Sequence, residues 1–268
     1  VSAELAPKFL AKGLPVFDLS GAFRVKDQGF YSSFYGFTHD SEQWLEQAAY
    51  GLAEWNAEAI QAAQLIAVPG CYPTASLCAL KPLQQAGLIA EGWQPIINAV
   101  SGVSGAGRSA KPDTHFPEFY DNFKAYGVAT HRHTPEIEQA LGSLCGKDIT
   151  LNFTPHLVPM SRGILATAYA KCNDGVTAET ITAAFEKKYA DEQFIRLLGL
   201  GAYPNTKFVR GSNFVDIGWH YDKRTKRVIV LSAIDNLVKG AAGQAVQNFN
   251  IANGFPEATG LKLVPMFP

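Results

Sequence analysis

A chain of 268 residues with 47% hydrophobic and 18% charged side chains has a globular composition and can bury a sizeable core in one or two domains. Its formal net charge of -1 excludes a general electrostatic binder of nucleic acid or membrane, and no run of about 18 apolar residues is present to span a bilayer. The four cysteines, Cys71, Cys78, Cys145 and Cys172, show no CxxC spacing and no disulfide framework, which suits a reducing, cytoplasmic location.

In chain order, "VSAELAPKFLAKGLPVFDLSGAFR" reads as a helix followed by the short strand "PVFDLS". It opens without Met and as if an α/β domain were joined midway, which predicts a fragment lacking its first βα units. Residues 41–64 are Ala-rich and helix-prone, with a break near Gly51, and residues 65–68 read as a buried strand. A helix follows Cys71, with Leu77, Leu80 and Leu83 on its apolar face and Pro82 as a kink or stop. "PIINAV" reads as a strand leading into the loop "SGVSGAGR".

"HTPEIEQAL" carries a helix-start signature, with Thr134 as N-cap and Pro135 as first helical residue. "DITLNF" and "GILATAYAKC" read as strands, and "TAETITAAFEKKY" as an amphipathic helix capped by Thr177. "NFVDIGWHY" and "RVIVLSAID" flank "DKRTK" as an antiparallel pair. In the closing helix, Ala241, Ala242, Ala245, Val246 and Phe249 fall at helical spacing, and Gly254 can end it. The order is α/β first, then a mixed β-rich half, then a C-terminal helix: an open-sheet domain joined to an α+β domain.

Cys71 is the first chemical candidate. In "VPGCYPTA" the turn Pro69-Gly70 leads into a helix, whose free N–H groups and dipole favour a thiolate and can hold an oxyanion. A buried structural cysteine is the competing reading. Cys78, on the apolar face, reads as core.

A cysteine nucleophile needs a proton handler. "THRHTPE" places His131 and His133 just before a helix, alternating in an extended segment and so pointing to opposite sides. A metal pair or surface residues are the other readings, and no third ligand sits at regular spacing to favour a metal. His156, in "TPHLVP", ranks second. "SGVSGAGR" fails as a dinucleotide fingerprint because its spacing is G-x-x-G-x-G. It reads equally as an anion- or amide-holding loop with Arg108 beside it, or as a glycine turn with a solvated arginine.

Together "DLSGAFR", "YGLAEW", "VPGCYPTA", "SGVSGAGR", "HRHTPEI", "SRGILAT" and "DNLVKGAAGQAVQ" resemble the N-acetyl-gamma-glutamyl-phosphate reductases nearly end to end. That family sits beside aspartate-semialdehyde dehydrogenase and, more distantly, glyceraldehyde-phosphate dehydrogenase. The resemblance implies a partial Rossmann-type NADP-binding domain (1–70), a mixed-sheet α+β catalytic and oligomerisation domain (71–235), and a helix and tail returning to the cofactor (236–268).

It also implies roles. Cys71 matches the nucleophile, and His131 and His133 supply the acid/base, with His131 preferred. Ser101, Arg108, Glu136 and Arg162 are implied substrate contacts, and Ser104, Gly105 and Asn236 cofactor contacts. The implied activity is NADPH-dependent reductive dephosphorylation of a small acyl phosphate, N-acetyl-L-glutamyl 5-phosphate, through a cysteine thioester in arginine biosynthesis. The implied assembly is a homodimer or homotetramer, without nucleic acid, membrane or metal.

The family begins with a strand and a G-x-x-G-x-x-G turn that holds the NADP phosphates. That segment is absent from this sequence, which predicts weak NADP binding. The alternatives are a sister acyl-phosphate reductase such as aspartate-semialdehyde dehydrogenase, a Cys-His acyltransferase or hydrolase without nicotinamide, and a non-catalytic fragment.

Overall fold

The computed structural model describes residues 1–267. The first part of the chain winds α1 (Ser2–Leu10), β1 (Val16–Asp18), α2 (Gln28–Tyr35), α3 (Glu42–Gln47), β2 (Ala49–Tyr50), α4 (Ala53–Ala62) and β3 (Leu65–Ala67). Its sheet is parallel, ordered β1-β3-β2, with Phe17 opposite Ile66 and Tyr50 opposite Ala67. β3 is buried throughout, as a central parallel strand should be. A small core of Leu10, Phe23, Phe30, Tyr31 and Leu45 fills the space beside it.

The second part carries α5 (Cys71–Gln85), β4 (Ile96–Ser101), α6 (Phe116–Phe119), β5 (Lys124–Ala125), α7 (His133–Gly142), β6 (Asn152–Leu157) and β7 (Ile164–Lys171). It continues through α8 (Ala178–Tyr189), β8 (Ile195–Leu200), β9 (Val215–Asp222) and β10 (Arg227–Ile234). The seven strands form one mixed sheet in the order β5-β6-β4-β7-β10-β9-β8. β7, β9 and β10 pair antiparallel, while β4–β6 and β8–β9 run parallel.

Alternation along β7 sends Ile164, Ala166, Ala168 and Ala170 into the core and leaves Leu165, Thr167 and Tyr169 half-buried on the far face. The core face is covered by α5, buried almost all round from Tyr72 to Leu83. Among the described residues no helix is long and apolar enough to cross a membrane.

Two local expectations need correction. Pro82 neither ends nor interrupts α5, which runs on to Gln85. Proline lacks the N–H that would bond the carbonyl four residues back. That carbonyl, on Cys78, instead accepts the Tyr189 hydroxyl at 2.9 Å. The closing helix also differs. After a π-turn (Val238–Ala242), α9 (Gly243–Ala252) buries Gln244, Gln247, Asn248 and Asn250. Val246 and Phe249, expected on the buried face, are 40% and 45% exposed.

The buried polar side chains of this helix are tied in by hydrogen bonds, although Gln244 Oε1, Asn248 Oδ1 and the facing Glu54 Oε2 stay unpartnered among the described residues. Gln244 donates to Thr74 Oγ1 (3.0 Å), Asn248 to the Gly51 carbonyl (2.9 Å) and Gln247 to Glu54 (3.0 Å). Lys239 and Glu54, both fully buried, form an ion pair at the centre of this network. Burial works against ionising Glu54, but Lys239 beside it holds the carboxyl below the usual range. This joint fastens the π-turn, and with it Asn236 and Gly240, against the first part of the chain.

Candidate active site

α5 begins at Cys71, with Gly70 as N-cap, so the thiol sits in the first helical turn. The turn is held from below. Gly70 N–H donates to Glu136 Oε1 at 2.9 Å, and the Tyr50 hydroxyl donates to the same oxygen at 2.8 Å. The other carboxylate oxygen pairs with the Arg24 guanidinium at 3.5 Å. Arg24 is anchored in turn by the carbonyls of Val68 (2.7 Å) and Leu19 (2.8 Å). Three segments distant in sequence therefore lock the approach to Cys71.

A cleft of about 790 Å³ opens over this turn, of ligand-binding size. Cys71, His133, Arg24, Arg132, Ser104, Gly105, Asn236 and Gly240 all line it. Close packing defines its floor. A Cβ on Gly70 would stand 2.5 Å from His133 Nε2, and one on Gly240 would stand 2.7 Å from Cys71 Cβ. Both positions need the missing side chain, so the imidazole and the π-turn reach the cysteine turn directly.

The electrostatics correct the expectation of an easily ionised thiol. Cys71 is half-buried. Burial pushes its pKa up, against the pull of the Tyr72 and Cys71 N–H groups and of Arg24. Desolvation outweighs the helix terminus here, so the resting group is a thiol. His133 is buried, and burial, helped by the nearby His131, Arg24 and Arg132, holds its pKa well below the ordinary value. A neutral imidazole lining the same cleft as a protonated thiol has a lone pair with which to act as its base.

His131 behaves differently from its expected role. Arg132 is already helical and α7 starts at His133, not at an N-cap on Thr134. The two rings consequently touch, with centroids 4.8 Å apart, rather than pointing to opposite sides. His131 packs edge-on among Tyr72, Tyr126 and Phe153 behind the cleft wall. Its Nδ1 accepts the His133 N–H at 3.1 Å. It is His133 that lines the cleft.

The other expected site residues divide. Ser104, Gly105 and Asn236 line the cleft together, and Asn236 is fixed by bonds to Ser104 Oγ (3.0 Å) and from Gly163 N–H (2.7 Å). Glu136 is 1% exposed with its oxygens committed, so it braces the cysteine turn and Arg24 rather than offering a free carboxylate to substrate. Arg162 is bound to Asp235 at 3.1 Å and lies off the cleft.

Ser101 is buried and bonded to the Gly102 carbonyl, and Arg108 is exposed; neither lines the cleft. His156 stacks on Phe123 and does not line the cleft. Arg24 receives no role from the sequence reading. The signal for it is an arginine embedded in the otherwise uncharged stretch "LSGAFRV".

Beside Cys71 the cleft wall is formed by Ser104, Gly105, Asn236 and Gly240, small side chains together with the amide of Asn236. Among the described residues no group of three or more His, Cys, Asp or Glu is placed to hold a metal.

Residues 1–63 match the family model of the semialdehyde dehydrogenase NAD binding domain, and residues 71–236 that of the semialdehyde dehydrogenase dimerisation domain. A nicotinamide cofactor follows from that family. The N-acetyl-gamma-glutamyl-phosphate reductase of Aeromonas hydrophila is 62% identical over 261 residues, covering 97% of this chain and 74% of its own length. That of Brevibacillus brevis is 51% identical over 269 residues, covering 100% and 77%.

Among solved structures, aspartate semialdehyde dehydrogenase II from Vibrio cholerae superposes with a TM-score of 0.71 at 21% identity, over 94% of this chain and 76% of that one. The aspartate semialdehyde dehydrogenase of Candida albicans, solved with NADP, gives 0.67 at 14% identity, over 94% and 74%. These two likenesses show the shared fold. The level and extent of identity to the reductases go further: the chain belongs to the N-acetyl-gamma-glutamyl-phosphate reductase family of semialdehyde dehydrogenases.

Proposed function

We propose that this chain carries out NADPH-dependent reductive dephosphorylation of N-acetyl-L-glutamyl 5-phosphate to N-acetyl-L-glutamate 5-semialdehyde in arginine biosynthesis. The observation that carries this reading is the shared cleft of Cys71 and His133, with the π-turn pressed against the cysteine. His133 takes the Cys71 proton as sulfur attacks the acyl carbon. A C–S bond forms, the C–O bond to phosphate breaks, and a thioester remains. NADPH, when bound, supplies hydride to that carbon.

The N–H groups at the start of α5 face the developing oxyanion. His133 passes its proton to the departing phosphate as the first step closes. The oxyanion left after reduction collapses by breaking the C–S bond, releasing aldehyde and thiolate, and Cys71 regains a proton from solvent through His133. Arg24, held by Glu136 on the cleft wall, is the cation for the substrate's carboxylate or phosphate. Ser104, Gly105 and Asn236 are the residues that would hold the nicotinamide end of the cofactor.

The supporting division is a cofactor part at 1–70, a catalytic part at 71–235 and a returning helix and tail at 236–268, whose last residue lies outside those described. The far face of the large sheet brings Ile96, Leu165, Tyr169, Ile229 and Leu231 into one apolar patch. A second copy of the chain covering that patch would give the homodimer, and a pair of such dimers the homotetramer. A cytoplasmic setting keeps the four free cysteines reduced.

The test is a substrate panel. Acetylglutamyl phosphate should be reduced in preference to aspartyl phosphate, and Cys71→Ser should lower turnover by ~10³-fold or more while the protein stays folded. Hydrolysis without nicotinamide oxidation would instead identify a Cys-His hydrolase.

A further inference from the structure

We propose that His131 is a positioning residue whose ring nitrogen caps helix α7 and thereby aims His133 at Cys71, so that only one of the two histidines handles the proton. The inference rests on the reductase reading for its activity assay and on geometry for its argument.

A helix start leaves N–H groups without partners. At α7 these fall to His131. Its backbone carbonyl accepts Thr134 N–H at 2.9 Å, and its Nδ1 accepts His133 N–H at 3.1 Å. Thr134, whose hydroxyl would be the ordinary cap, has Oγ1 buried and unbonded. A backbone N–H can only donate, so Nδ1 of His131 must keep its lone pair and the ring must carry its proton on Nε2. That excludes the doubly protonated form for as long as the cap stands. Burial and the Arg132 charge reinforce this by lowering the His131 pKa to about 4.

The ring is further held by the edges of Tyr72, Tyr126 and Phe153. Tyr72 directly follows Cys71. One imidazole is therefore packed against the residue after the nucleophile and bonded to the backbone of the residue that carries the base. The closeness of His133 Nε2 to Gly70 leaves that base no slack.

The cap has a stereochemical signature. Asparagine carries its side-chain oxygen the same number of bonds from Cα as Nδ1, whereas glutamine carries it one bond further out, closer to Nε2. His131→Asn, His131→Gln and His131→Ala would be compared with wild type for kcat and KM with acetylglutamyl phosphate and NADPH. The rate of Cys71 alkylation by iodoacetamide and the urea midpoint would be followed in parallel.

The expected result is that Asn retains most of kcat. Gln and Ala should lose about 10²-fold in kcat with little change in KM, as a small misplacement of a catalytic group would. Alkylation should follow the same order, although all three variants lose the aromatic packing and some stability. Equal losses in all three would show that the ring itself is required, a retained Gln with a lost Asn would assign the action to Nε2, and no loss would remove the role; each overturns the proposal. Wild-type protein inactive on acetylglutamyl phosphate would overturn the reductase reading instead, with the alkylation order still deciding His131.

Discussion

At the scale of single residues, the site inverts a simple expectation about cysteine. The sequence places Cys71 at a helix start, and the helix start is there. What a sequence does not contain is the depth of the cleft, and burial raises the thiol pKa beyond what the N–H groups recover. In the cofactor-free enzyme, iodoacetamide alkylation of Cys71 should therefore keep accelerating as pH rises past about 8.5, the ordinary thiol value. A plateau reached near pH 7 would mean a preformed thiolate. Glu136 gives a second expectation. Its two oxygens serve Gly70, Tyr50 and Arg24 at once, so Glu136→Ala leaves an uncompensated buried guanidinium and should cost about 3–5 kcal/mol by urea unfolding. Glu136→Gln keeps an oxygen for Gly70 and should cost less while still weakening substrate binding through Arg24, read as a raised KM.

Among the elements, the longer periodic segments were located from the sequence, because alternation and 3.6-residue spacing are written directly in the order of side chains. The helices α2 and α6 and the strands β2, β5 and β8 were not, and the strand read at "DITLNF" lies further on, at Asn152–Leu157. Other errors fall where a distant group supplies a missing partner. Pro82 continues α5 because Tyr189, about a hundred residues away, donates to the orphaned Cys78 carbonyl. Tyr189→Phe should cost ~1–3 kcal/mol by leaving that carbonyl unpaired, along with the bond from Trp55 Nε1. Pro82→Ala restores an N–H to the helix, so the double variant should recover part of the loss. Simple additivity would mean that the hydroxyl does not substitute for the proline's absent donor. The start of α7 moved for the same kind of reason, since His131 rather than Thr134 supplies the cap. In α9 the helical spacing of Val246 and Phe249 was legible, but the network of Lys239, Glu54 and Gln247 that turns the polar side inward joins residues 54 to 247 and has no local signature.

For the whole molecule, the motifs were legible as a set because each marks a place where backbone must come close to something, as at Gly70 and Gly240. Their assembly was not, because Arg24, Glu136 and Cys71 meet only through the fold. The same burial that makes His133 a neutral base has a global consequence for stability. His131 falls to about 4 and His133 well below its ordinary value, burial being the largest cause in both. Folded-state values below the unfolded value of about 6.5 mean that the unfolded chain binds more protons as pH falls. The stabilisation is present above pH ~6.5 and is lost as pH falls toward 4. Glu138 and Glu192, held above the carboxylate range by burial, act in the opposite sense in the lower part of that window. The absolute slope therefore mixes signs, and the difference between wild type and His131→Asn reports His131 together with its lowering effect on His133. Urea midpoints measured from pH 7.5 to 4.5 should fall for both proteins, less steeply for the variant, with the two curves converging as pH decreases. Parallel curves would mean that His131 titrates in the folded state as it does in the unfolded chain, which its burial among Tyr72, Tyr126 and Phe153 and its bond to the His133 N–H do not allow.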